Sequence, residues 1–73
     1  MTLLNAEEGK EYIISKINVE DDEELISFLF SLGCYSGESV TVVTRRKKTC
    51  VISIKDSRYS IDNQLADTII LKD

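Results

Sequence analysis

Asp22-Glu23-Glu24-Leu25-Ile26-Ser27-Phe28-Leu29-Phe30-Ser31-Leu32-Gly33 (residues 22–33) is the stretch whose reading decides the fold. Leu25, Phe28, Leu29 and Leu32 recur at i, i+3, i+4 and i+7, which is one face of a helix. Asp21 or Asp22 supplies an N-cap, because a short carboxylate accepts the free amides of the first turn. Glu23 and Glu24 follow, where the helix dipole favours negative charge. Gly33 comes directly after the last periodic leucine and suits the left-handed position that ends a helix. Start signal, period and stop signal agree, so the sequence predicts a helix over 21–32.

The rest of the chain has the period of strands. Residues 11–19 are β-branched and aromatic, with Ile13, Ile17 and Val19 on one parity and Tyr12 and Ile14 on the other. This predicts a strand with one strongly apolar face. Residues 38–46 alternate with Val40 and Val42 inward, and residues 49–56 alternate through Cys50, Ile52 and Ile54. Arg45-Arg46-Lys47-Lys48 lies between them as a hairpin tip without the Asn-Gly such tips prefer. Asp56-Ser57 reads as a tight turn into Arg58–Ile61, with Tyr59 and Ile61 inward. Residues 62–67 read as a helical turn and residues 68–72 as a last strand. Five short strands with a helix between the first and second predict a mainly β fold, a small five-stranded barrel.

Length and composition bound the chemistry. The 73 residues allow one small domain. Lys and Arg number 9 against 13 Asp and Glu, for a net charge of −4, and there is no His. The lack of His removes Ser-His and Cys-His dyads and imidazole metal ligands. There is no Gly-rich phosphate loop either, so no catalytic, cofactor-binding or metal-binding residue is assigned and the protein is not expected to be an enzyme. An acidic total argues against nucleic-acid binding, since phosphates are repelled at long range. Met1–Glu8 turns acidic before any apolar stretch, and no run approaches a membrane span of about 20 apolar residues. The expectation is a cytoplasmic protein.

Each candidate site has a plain structural reading beside its functional one. Cys34 and Cys50 form no C-x-x-C and read as two reduced, packed thiols, against one disulfide bridge. The acidic run Glu20–Glu24 points around the helix axis, so it reads as a solvated first turn rather than a cation site. Arg45, Arg46, Lys47 and Lys48 are either a solvated tip that discourages edge pairing or a grip for an acidic partner. Ile26 and Phe30 widen the apolar arc of the helix to roughly 200°. They are either covered by the Leu3-Leu4 segment or a loop, or left exposed as a contact surface. Tyr35 packs half-buried or stacks on a partner. Surplus apolar surface on so small a fold leaves homo-oligomerisation open.

Leu29-Phe30-Ser31-Leu32-Gly33-Cys34-Tyr35-Ser36-Gly37 followed by the strand from Glu38 resembles the core motif of the FeoA family, ferrous iron transport protein A. There a helix ends in Leu-x-x-Leu-Gly (here Leu29, Leu32, Gly33), three residues intervene, and a second Gly (Gly37) opens a strand. The physics of the pair is general: the first Gly ends the helix and the second permits the reversal. Leu3-Leu4, Gly9, Tyr12, Ile14 and Ile17 resemble the family's opening strand, and Ile61, Ala66, Ile69 and Leu71 its closing pattern. Phe28, Ser36 and the Arg-Arg-Lys-Lys block stand where the family often has Arg, Pro and Gly-Pro.

The resemblance implies an SH3-like barrel that supports bacterial ferrous iron uptake without catalytic residues. The implied partner is the cytoplasmic, GTPase-like part of the membrane transporter, ferrous iron transport protein B, with the membrane approached only through that partner. Ile26, Phe30, Tyr35 and Arg45–Lys48 are the candidate docking residues. The alternative is a metal-responsive regulatory domain acting in trans, related to the C-terminal domains of metal-dependent repressors.

Overall fold

Glu11–Ile17 (β1), Ser39–Arg45 (β2), Thr49–Ile54 (β3), Ser57–Asp62 (β4) and Ile69–Leu71 (β5) form one antiparallel sheet in the order β4-β3-β2-β1-β5. Glu23–Leu32 (α1) lies between β1 and β2, and Asn63–Asp67 (α2) between β4 and β5. The computed structural model describes residues 1–72. A short 3-10 turn, Leu3–Asn5, precedes β1, so Leu3-Leu4 belongs to no strand.

The predicted helix is present, with Asp22 as the cap: its Oδ1 accepts the Leu25 N–H at 3.0 Å. Gly33 closes the helix at φ +98, in the left-handed region where an L side chain is strained. Its N–H donates to the carbonyls of Leu29 and Phe30. The alternation of β2–β4 is borne out too. Val40, Val42, Cys50, Ile52, Ile54 and Ile61 are buried, and Tyr59 packs against them.

The first strand departs from its expected parity. Ile14, not Ile13, is fully buried, and Ile13 is 36% exposed. The register slips between Ile14 and Lys16 opposite β5, so an extra residue turns the strand and lets Ile14 and Ile17, three apart, both meet the core. The strand also changes partner. Glu11–Ile13 pair with β2, and Ile14–Ile17 pair with β5. It ends at Ile17, so Val19 lies outside it.

The sheet does not close into the predicted barrel, for β4 and β5 are its two ends. The outer edge of β5 is already occupied: Thr2 bridges Ile70, and the Leu71 N–H donates to the Met1 carbonyl at 2.9 Å. The tight turn is also displaced by one residue. Lys55 and Asp56 occupy its two central positions at φ +48 and +65, between the paired Ile54 and Ser57. Positive φ at both suits the strand twist, here without a glycine.

Candidate functional site

Helix α1 touches the core through few side chains. Leu29 is its one fully buried residue, with Leu25 and Leu32 partly buried. Phe28, expected in the core, is 49% exposed. It lies roughly 100° around the axis from Leu29, and that flank of the helix looks to water rather than sheet. Ile26 and Phe30, four apart on the opposite flank, are 42% and 63% exposed, so neither the Leu3-Leu4 segment nor a loop covers them.

Past the Gly33 stop, Tyr35 folds back onto this flank. Its ring lies 4.8 Å from that of Phe30, tilted at 35°. Lys55, from the β3–β4 turn, sets its ammonium over the Tyr35 ring, 5.2 Å from its centroid, and 3.0 Å from the Glu38 carboxylate. Tyr35, and then Glu38, hold the Lys55 ammonium above the ordinary lysine range. The stem of Lys55 crosses Gly33 so closely that a Cβ there would sit 2.9 Å from Lys55 Cδ. Ile26, Phe30, Tyr35, Lys55 and Glu38 therefore make one surface: an apolar stripe continued by a charged pair. Lys55 and Glu38 escape a sequence reading because they meet across two turns, with no local spacing to announce them.

The basic block splits. Arg45 turns inward, its guanidinium donating to the carbonyls of Leu3 at 3.2 Å and Ala6 at 2.7 Å, and so pins the N-terminal segment to β2. Its backbone N–H donates to Glu8 Oε2. Arg46, Lys47 and Lys48 are exposed at the tip. Asn63 fixes that tip through the Lys47 and Lys48 carbonyls, each at 3.0 Å. An open hollow of about 360 Å³ lies there, lined by Lys47, Lys48, Asp62, Asn63 and Gln64.

Both cysteines are free and buried. Burial pushes the Cys34 thiol up to about 11 and raises Cys50 too, where Arg45 pulls in the opposite sense. Neither is a reactive thiolate. Glu20–Glu24 are exposed, with Asp22 spent on its cap. Among the described residues no group of three or more His, Cys, Asp or Glu is arranged to hold a metal ion. Among the same residues no helix is long and apolar enough to cross a membrane.

The FeoA domain model matches residues 1–73. No curated protein matches the sequence. Among solved structures, an iron uptake regulatory protein of the FeoA type superposes with a TM-score of 0.86 at 20% identity, covering 99% of this chain and 93% of that one. The zinc-complexed FeoA of Stenotrophomonas maltophilia, a prokaryotic SH3 domain protein put forward as a ferrous iron transport activating factor, gives 0.87 at 16%, covering 99% and 89%. A manganese-dependent transcriptional repressor gives 0.84 at 16%, covering 99% of this chain and 41% of that one. At these identities the likenesses establish the fold, a mainly β, SH3-like one.

Proposed function

The chain belongs to the FeoA family, which is linked to ferrous iron transport, and on that premise we propose that it is a non-enzymatic accessory module that docks on the cytoplasmic part of the membrane ferrous iron transporter, ferrous iron transport protein B. One observation carries the reading: the Ile26–Phe30 stripe stays exposed and is backed by Tyr35. A small domain places aromatic side chains in water at a cost, and such a patch is the usual footprint of a contact. Arg46, Lys47 and Lys48 add a separate cationic point at the hairpin tip, suited to an acidic neighbour and sensitive to salt. In this reading the module works in the cytoplasm and meets the membrane only through its partner.

The test is a pull-down with the transporter's cytoplasmic domain, with and without guanine nucleotide. Retention by the parent chain and its loss on Phe30→Ala or Ile26→Asp is the expected result. No retention in either nucleotide condition overturns the reading. The likeness to the manganese-dependent repressor supports a second reading, a metal-responsive regulatory domain acting in trans. Stoichiometric heat on titrating Fe²⁺ or Mn²⁺ into the chain would favour it.

A further inference from the structure

The two ends of the sheet are treated differently. The outer edge of β5 is covered by Met1-Thr2, while β4 is the last strand on its side and pairs only with β3. Six consecutive β3–β4 pairs run from Thr49↔Asp62 to Ile54↔Ser57 without a bulge. Proline, an inward-pointing lysine or a bulge normally blunts such an edge, and β4 has none of them. Among the described residues, the backbone of Ser57–Asp62 bonds outside the β3–β4 pairing only where the Asp62 carbonyl opens α2 as its N-cap. Ahead of Asp62 the outward donors and acceptors of this edge are therefore free.

The side chains on this edge are self-complementary. Arg58, Ser60 and Asp62 share the exposed face; Tyr59 and Ile61 share the core face. A second copy related by a two-fold axis through the sheet keeps the faces in common, so each residue must lie opposite one of its own parity. Centred on Ser60, the pairing sets Arg58 opposite Asp62 of the second copy, twice, and Tyr59 opposite Ile61. Centred on Tyr59, it sets Asp62 opposite Asp56, like against like. Centred on Ile61, it sets Arg58 opposite Gln64, which is already in α2. Opposite charges directly across an antiparallel pair attract and like charges repel, so the Ser60-centred register is selected. Arg58 has no ion pair of its own among the described residues. Asp62 spends Oδ1 on the Leu65 N–H at 2.7 Å, which leaves Oδ2 for the second copy.

We infer that the chain forms a two-fold dimer by antiparallel pairing of β4 with β4 about Ser60, making one continuous ten-stranded sheet. A six-residue edge is smaller than a standard interface, so the association is weak and concentration-dependent. It does not rest on the transporter reading.

The register gives a direct test. Ser60→Cys places two thiols opposite each other at the axis, about 5.5 Å between Cβ atoms, an ångström or so beyond the roughly 3.5–4.5 Å of a relaxed disulfide, a gap that a slight shift of the two strands closes. Ser57→Cys, on the same strand, lies six positions or about 20 Å from its copy. Cys34 and Cys50 are buried and do not compete. Under mild oxidation, Ser60→Cys should give the disulfide-linked dimer at least tenfold faster than Ser57→Cys. In sedimentation equilibrium the unmodified chain should move toward twice its monomer mass as concentration rises. Arg58→Glu should raise the dissociation constant at least tenfold, with an unchanged circular dichroism spectrum. Equal cross-linking at the two positions, a monomer at every concentration into the millimolar range, or an Arg58→Glu chain that dimerises as tightly as the parent overturns the inference.

Discussion

The β2–β3–β4 meander and helix α1 are both amphipathic in sequence, yet they spend their apolar residues differently. In the meander the inward positions Val40, Val42, Cys50, Ile52, Ile54 and Ile61 are all at or below 3% exposure. In α1 six of the ten residues are apolar, and only Leu29 is fully buried. The sheet has two faces and a period of two, so every apolar residue on the right parity is inside. The helix meets the sheet along one stripe, and apolar residues outside it have nowhere to go. In so small a domain the sheet fills the core, and the surplus on the helix is free to serve as a surface.

The largest expected effect lies in the meander. Ile52 is fully buried on β3, flanked by β2 and β4. Ile52→Ala should cost about 3–4 kcal/mol, the transfer term plus the cavity left behind. For a chain of this size that is much of the total stability, so the urea midpoint should fall steeply with an unchanged slope. A loss below about 1 kcal/mol would mean that the meander is not where the stability resides.

At the junction of the two regions Gly33→Ala should cost about 1–2 kcal/mol for its left-handed φ. Gly37, at φ +91 with nothing near a would-be Cβ, isolates the conformational part. The excess of Gly33→Ala over Gly37→Ala reports the contact with Lys55, and it should vanish in a Lys55→Ala background. An excess that survives there would put the helix stop, not the Lys55 stem, in charge of that contact.

The two thiols sharpen the comparison by pH. The Cys34 thiol has a folded value near 11 against an ordinary 9.0. The folded chain then keeps its proton where the unfolded chain has lost it. The stability this contributes is whole below pH 9 and is lost as pH rises toward about 11. Cys50 is raised as well, but Arg45 opposes the shift. Cys34→Ala should therefore flatten the alkaline loss of stability more than Cys50→Ala does. Comparing each with the parent cancels the alkaline contribution of Lys55, whose ammonium is also held above its ordinary range. An identical slope in all three chains would mean that neither thiol is buried as a neutral group.

How far the sequence could be read follows from the range of the forces involved. The helix was legible because Asp22, the leucine period and Gly33 act within a few residues of one another. The meander was legible because its alternation runs unbroken from Thr49 to Ile54. The parity of β1 was not, since the slip between Ile14 and Lys16 answers to β5, more than fifty residues away. Closure was not, since Met1-Thr2 takes the place at β5 that a barrel would give to β4. In the candidate site, the exposure of Ile26 and Phe30 was legible only as one of two outcomes. Arg45 looked like its basic neighbours, and its inward turn is set by the Leu3 and Ala6 carbonyls. Phe28 had the right period and the wrong side of a helix that rests on Leu29.

The smallest stability effect is the one that decides what α1 is for. Phe30 is 63% exposed, and among the described residues its ring stacks on Tyr35 alone. Phe30→Ala gives up part of an aromatic pair worth about 0.5–1 kcal/mol and removes apolar surface from water, two changes of opposite sign. Unfolding free energy should move by no more than about 0.5 kcal/mol. Affinity for the transporter's cytoplasmic domain should fall at least tenfold, because an exposed aromatic that anchors a contact carries a large share of its binding energy. The paired measurement separates the two regions: Ile52→Ala moves stability, Phe30→Ala moves binding. A stability loss above about 1 kcal/mol would make the ring a prop for the Tyr35–Lys55–Glu38 cluster. Unchanged affinity would leave the exposed face of α1 without the partner assigned to it.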